Sequence, residues 1–332
     1  MAVNDKIRTV DYNSIQSSLS TIMSSGSGTS GWGQLMRSSQ VSVSDSVTIN
    51  EWSNLRYDII NAYKHVFGST PTMVNPGEGN TVRYSNTFVP DTGASDAPVT
   101  QYETYVSTIT ANKFTVGAGQ YATTAAVSNS TTWPNASYGS YWTSKIQCTV
   151  TVSWANATQA RYFFNSGGQL RFSSSRTGGS TSSQNTSWSS ILSAAGTQSF
   201  GANNPGTGTS PLDCTNWYRL TNSYKVWYTS TGSSPYGSNT FKIYARCPVA
   251  DNSTGTASSA EFLLEWTDLY TDPGNTGPQG TYAGDSPNTI DLVDGTFTVN
   301  VSTLYATGVL VPTGFGNFTV TNPTISVGTI AP

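Results

Sequence analysis

The residue types best suited to chemistry in this chain crowd into one short stretch, where Glu261, Glu265, Asp268 and Asp272 lie beside Trp266 and Tyr270. Two carboxylates and an aromatic platform are what glycoside hydrolysis needs: one group protonates the leaving oxygen while the other serves as nucleophile or base. If residues 260–266 form a strand, Glu261 and Glu265 share a face with Leu263, half-buried or at a sheet edge. A chain with 18 acidic residues brings such pairs together by composition, so the pattern marks a hydrolase candidate without defining one. For calcium, which takes about six to eight oxygens, the close carboxylate sets are Asp268 with Asp272 and Asp291 with Asp294.

The remaining reactive groups are sparse. His65 is the one histidine, placed near the C-terminal end of a helical segment where the helix dipole favours imidazole without any catalytic role. No GxSxG elbow accompanies it, so a Ser-His-Asp triad has no nucleophile. Cys148, Cys214 and Cys247 are far apart and lack CxxC spacing, which fits buried reduced thiols better than zinc or disulfides. Residues 26–31 match GxGxxG, but they follow a helix and precede an extended run, the reverse of a dinucleotide-binding context. No cofactor is expected.

Residues 161–179 pose a sharper question, with two glycine pairs, three arginines and three phenylalanines. An anion-cradling loop needs a helix N-terminus or a GxxxxGK[ST] arrangement behind its glycines, and neither follows Gly168. The alternative is a hairpin: strands at 160–164 and 169–173, joined through Asn165-Ser166-Gly167-Gly168. On that reading the arginines, Arg161 and Arg171 among them, lie on the exposed face and serve solubility or a neighbouring subunit's carboxylate.

The elements around these residues follow from composition. Charged residues are 10% and apolar residues 36%, both low, while aromatics reach 12% and glycines number 31. Disordered chains are poor in aromatics and rich in charge; this one is the reverse, and its threonine- and aromatic-rich runs between Gly, Ser, Asn and Pro predict many short strands. A net charge of −3 without basic runs excludes a general attraction to nucleic acid. The first ten residues lack an apolar core of signal-peptide length and no stretch approaches about 18 apolar residues, so the expectation is a chain that folds where it is made, without membrane insertion.

Along the chain, Asp11 is an expected N-cap for a helix whose stripe is Tyr12, Ile15, Leu19, Ile22 and Met23. Residues 40–44 alternate like a strand. Thr48 and Glu51 are spaced as a capping box for a second helix with Trp52, Leu55, Ile59, Tyr63 and Val66, closed by Gly68 and Pro71. Residues 76–98 read as loop, 99–112 as a helix, and 188–195 as another. Strands are predicted at 145–154, 224–229, 240–247, 260–266, 295–301 and 318–320. The fold class is mainly β (α+β), an antiparallel β-sandwich-rich body with a small N-terminal helical region. The expected organisation is a docking region at 1–75, a mixed connecting region at 76–143 and a sandwich-like domain at 144–332.

Several segments resemble phage virion structural proteins, especially the tail and fibre-type proteins of contractile-tailed phages of cyanobacteria and related marine bacteria. They are Asp11-Tyr12-Asn13-Ser14-Ile15, Gly31-Trp32-Gly33-Gln34-Leu35 followed by Ser38-Ser39-Gln40-Val41, and Glu51-Trp52-Ser53-Asn54-Leu55-Arg56-Tyr57-Asp58-Ile59. Ala160-Arg161-Tyr162-Phe163-Phe164-Asn165-Ser166-Gly167-Gly168, Trp188-Ser189-Ser190-Ile191-Leu192 and Asp294-Gly295-Thr296-Phe297 complete the set. The resemblance implies a non-enzymatic particle component, assembled in the host bacterial cytoplasm as a homo-oligomer with other virion structural proteins, and carries no catalytic motif. Trp32, Trp52 and Tyr63 are then candidates for docking contacts, with core packing as the competing role. A second expectation is a host-adsorption module in which Trp217-Tyr218, Trp227-Tyr228 and Tyr236 stack on the sugars of a surface glycan.

Overall fold

A computed structural model describes residues 9–23, 36–42, 45–67, 69–73, 99–113, 115–116, 119–137, 139, 141–142, 144–202, 214–270, 293–310 and 319–332. The fold is mainly β within the α+β class, with antiparallel sheets and a small helical group near the N-terminus. Among the described residues no helix is long and apolar enough to cross a membrane.

Helix α1 (Thr9–Met23) buries the predicted stripe of Tyr12, Ile15, Leu19, Ile22 and Met23, although Asp11 lies inside its first turn and does not cap it. Helix α2 (Ile49–Phe67) opens as expected, with the Glu51 carboxylate accepting the Thr48 backbone N–H. Helix α3 (Val99–Asn112) packs against both. Trp52 is 3% exposed between them, its ring edge-on to Tyr12 and to Tyr102 at 5.2 Å each.

The strand expected at 40–44 does not form at 40–42, and 43–44 lie outside the described residues. Side chains supply what a neighbouring strand would. Asn13 donates to the Val41 carbonyl at 2.8 Å and accepts from the Val41 amide at 2.9 Å. Gln16 donates to the Ser38 carbonyl, and the buried Asp58 carboxylate accepts both the Ser38 amide and its hydroxyl, at 2.8 and 2.7 Å. With its backbone groups satisfied this way, the segment has no need of a sheet.

The β body contains, in chain order, β1 (Thr115–Val116), β2 (Tyr121–Thr123), β3 (Val127–Trp133), β4 (Lys145–Ser153), β5 (Gln169–Thr177) and β6 (Gln198–Gly201). After them come β7 (Lys225–Thr231), β8 (Thr240–Arg246), β9 (Ser259–Thr267), β10 (Gly295–Ala306), β11 (Val309–Leu310) and β12 (Thr324–Val327). One sheet runs β2-β10-β5-β6, with β3 on the same edge of β10 as β2; the other runs β12-β4-β9-β8-β7. Strands β1 and β11 pair separately. The strand expected at 318–320 is absent at 319–320, the C-terminal strand being β12 instead.

Strict alternation sets the faces. In β9 every second residue from Ala260 to Trp266 is buried, and β10 alternates through most of its length. Phe172 and Phe200 of the first sheet meet Phe262 of the second at 4.6 and 5.0 Å between ring centroids. On the opposite face of the first sheet, between β3 and β10, the pairs are neutral and polar: Ser128, Ser130 and Thr132 bond across to Asn300, Thr298 and Thr296 at 2.6, 2.8 and 2.9 Å. These cross-strand bonds are one use the fold makes of a composition rich in Ser and Thr and poor in ions. Past β12, the chain laces the two sheets together. Asn129 and Thr131 of β3 donate to the Gly328 and Ile330 carbonyls, while Ala331 bridges to Gln147 of β4.

Residues 160–164 are helical, which overturns the predicted hairpin. Helix α4 (Ala157–Asn165) is capped by Asn156, whose side chain accepts the Gln159 amide at 3.0 Å. It closes with the Gly168 amide on the Phe163 carbonyl and the Gly167 amide on the Phe164 carbonyl, at 2.9 and 3.0 Å, a Schellman ending with Gly167 at φ +85°. The glycine pair therefore stops a helix before β5 begins. A second helix, α5 (Ser183–Ala195), covers β5 and β7 and contains the predicted 188–195 segment.

A side chain at Gly167 would sit in the left-handed region, and a Cβ on Gly168 would meet the Phe163 ring at 2.8 Å as well as its carbonyl oxygen. Gly167→Ala is expected to cost about 1–2 kcal/mol and Gly168→Ala about 1–3 kcal/mol, read from denaturant midpoints.

Candidate functional site

Beyond α4 lies the most unusual polar arrangement of the described residues. Arg161, on the inner side of α4, is 5% exposed. Its Nη1 donates to the Gly255 carbonyl at 3.3 Å and its Nη2 to the Thr158 hydroxyl at 2.9 Å, while Nε is buried with no partner. Among the described residues it forms no ion pair. Burial pulls its pKa below the usual guanidinium range, with Tyr218 and Tyr162 acting in the opposite direction. The expectation that it faces solvent or a neighbour's carboxylate is corrected: α4 turns it inward because Ala160, Phe163 and Phe164 must also be buried. Arg171, by contrast, lies half-buried on β5, opposite Ser302 on β10 and Ser199 on β6.

The helical turn Trp217–Arg219 packs on α4, with Trp217 stacked on Phe164 at 4.5 Å. The Tyr218 hydroxyl donates to Asn165, and burial raises its pKa far above the usual phenol range. A Cβ on Gly255 would touch Arg161 at 2.8 Å and Tyr218 at 2.9 Å, so the arginine stem and the tyrosine ring share one wall. Beside Tyr218 opens a cavity of about 330 Å³, with Arg219, Lys225 and Asp251 also around it. Asn252 makes the frame rigid: it donates to the Trp217 carbonyl at 2.9 Å and accepts the Ala257 amide at 2.8 Å, and its own amide reaches the Leu220 carbonyl. Cationic and hydroxyl groups at a preformed cavity suit a polar, negatively charged ligand.

The hydrolase candidates are arranged differently. Glu261 and Glu265 do share the outward face of β9 with Leu263, but β9 is central, between β4 and β8. Four residues of strand place them about 13 Å apart along the backbone. Separate partners hold them apart. Glu261 pairs with Arg246 at 2.6 Å and accepts the Tyr224 hydroxyl; Glu265 accepts from Gln147 at 2.7 Å and Tyr244 at 3.1 Å, with Lys145 at 3.9 Å. Burial first, then the neighbouring glutamate, pushes the Tyr224 and Tyr244 phenols each up to about 12. Trp266 is fully buried on the opposite face and is not available as a sugar platform.

The ion-binding expectation has half its residues, Asp272 and Asp291, outside the described set, as are Trp32 and the 26–31 glycine motif. Asp268 accepts Gln184 and the Tyr270 amide; Asp294 accepts Arg176 at 3.2 Å and the Ser180 amide and hydroxyl at 3.0 Å. Both tie down the start of α5, and no group of three or more metal-ligating side chains occurs among the described residues. All three cysteines are buried free thiols, with burial pushing Cys148 up to about 11 and Cys214 up to about 12.

The aromatics expected to stack on sugars are core residues: Trp217, Tyr218, Trp227, Tyr228 and Tyr236 are each at most 6% exposed. Tyr63 packs on Phe67 at 4.3 Å and edge-on to Tyr105 at 5.4 Å, within the helical group. The cavity was missed in sequence because its members come from separate loops. One signal was available: Asn156 with Gln159 is spaced as a helix cap and would have placed Arg161 on a helix. Comparison of the chain with protein-family models, curated proteins and solved structures finds no match.

Asp294→Ala would leave Arg176, whose side chain is 5% exposed, as an unpaired buried charge; the expected loss is about 3–5 kcal/mol in chemical unfolding. Burial raises the pKa of Asp58 and of Asp268 above the ordinary 3.8, outweighing the hydrogen bonds each accepts. A folded state that holds a proton more tightly than the unfolded one loses stability as pH rises through the raised value, and keeps it below 3.8. Unfolding free energies measured from pH 4 upward should fall less steeply in Asp58→Asn and Asp268→Asn than in the parent chain.

Proposed function

We propose that this chain is a non-enzymatic structural component of a bacteriophage particle, in its tail, baseplate, neck or fibre apparatus, acting through subunit assembly. The observation that carries the reading is where the described residues of the resembling segments sit. They are joints of the fold. Asn13 and Asp58 clamp residues 38–41, Tyr12 meets Trp52, Gly167 and Gly168 end α4, and Asp294 anchors the start of α5. A likeness concentrated on packing and capping residues fits a protein selected for shape and for contact with neighbours.

The host-adsorption reading comes second. Its aromatic platform lies in the core, and what favours it instead is the cationic cavity beside Tyr218.

Antibody raised against the purified chain is expected to label intact particles of a contractile-tailed phage encoding it, and the purified chain is expected to sediment as a homo-oligomer. Unlabelled particles from a lysate that contains the chain, or a monomer that depolymerises host polysaccharide, would overturn the proposal.

A further inference from the structure

We infer that the cavity beside the Trp217–Arg219 turn binds an acidic saccharide unit, a sugar ring carrying a carboxylate or a sulfate ester. The charge balance points there first. Arg219 and Lys225 line the cavity and form no ion pair among the described residues. Behind the wall lies a third cation, Arg161, packed with Tyr218 against Gly255 and likewise without a carboxylate partner. Among the described residues two lining cations, with Arg161 behind Tyr218, thus stand against one lining carboxylate, Asp251, a surplus that an anion would neutralise.

Asp251 then narrows the class. Its two oxygens accept the Ser253 amide at 2.8 Å and the Ser253 hydroxyl at 3.1 Å, and a carboxylate retains lone pairs beyond these. A bare inorganic anion would meet that carboxylate as a like charge. A sugar acid would offer it hydroxyl donors while its own anionic group lies on Arg219 and Lys225. Thr215, also on the lining, carries a hydroxyl that can both donate and accept, as recognition of ring hydroxyls requires, whereas the Thr221 hydroxyl is already bonded to the Ser223 backbone. The volume, about 330 Å³, lies at the small end of the ligand-pocket range and suits a single ring with its substituents. Asn252 bonds to the turn and to the Ala257 amide hold the frame before any ligand arrives, which limits the ordering cost of binding.

This inference goes beyond assembly and is tested apart from it, since ligand binding is read on the purified chain and incorporation on particles. Isothermal titration of the full chain would use four probes: methyl glucuronide, a 6-sulfated hexose, the unsubstituted neutral hexose and sodium sulfate. At least one acidic sugar is expected to bind at least about tenfold more tightly than the neutral hexose and than inorganic sulfate. The tighter of the two acidic probes names the preferred group, and equal binding names both. Arg219→Gln and Lys225→Gln should each weaken that binding about tenfold with an unchanged thermal midpoint, and Asp251→Asn should weaken the acidic sugar while improving inorganic sulfate. Sulfate ion or neutral hexose binding as well as the acidic sugars, no binding at millimolar concentration, or unaltered affinity in both cation variants would overturn the assignment.

Discussion

Phe172 and Phe200 reach from one sheet to Phe262 and Trp227 on the other, and the rest of the β body is arranged around that contact. Rings at such separations add about 0.5–1.5 kcal/mol per pair beyond the area they bury. In a chain with few ions and a modest apolar fraction, burial of large aromatics is the main cohesive force available. Eight tryptophans among the described residues are at most 5% exposed, among them Trp188 on α5 and Trp217 at the turn beside α4. Helices thereby become part of the core, and aromatic residues that look like surface ligands in the sequence are drawn inside.

The outward faces then meet water by two different means. On the first sheet, neutral hydroxyl and amide pairs between β3 and β10 satisfy each other. On the second, Glu261 with Arg246 and Glu265 with Lys145, Gln147 and Tyr244 form local networks across adjacent strands. Several buried or half-buried carboxylates are matched by named donors. Asp58 holds a loop, Asp268 and Asp294 hold α5, and Arg176 is answered by Asp294.

Arg161 breaks that pattern, because a buried guanidinium with neutral acceptors and one idle N–H is a net cost to folding. The same groups that lower stability there raise the potential of the neighbouring cavity. Its other cations, Arg219 and Lys225, lie six residues apart, at the end of the Trp217–Arg219 turn and at the start of β7. Stability and recognition pull against each other at that end of the sandwich.

Local patterns were legible wherever the physics acts within a few residues. The stripe of α1, the Glu51 bond at the start of α2 and the alternation of β4 and β9 all stand in the sequence as they do in the structure. Residues 160–164 misled because Tyr162, Phe163 and Phe164 favour strands intrinsically, while the Asn156 cap and the Schellman glycines commit them to a helix. Residues 40–42 misled for another reason: their alternation is real, but Asn13 takes the place of a partner strand. The sequence by itself determined the fold class, the faces of the main strands and the scarcity of reactive groups, since composition and periodicity report burial directly. Only the tertiary structure decided that β10 lies between β3 and β5, that the paired aromatics are core, and that Arg161 stands behind a cationic cavity. Those outcomes depend on whole faces being buried against segments far away in the chain, a choice that no local preference encodes.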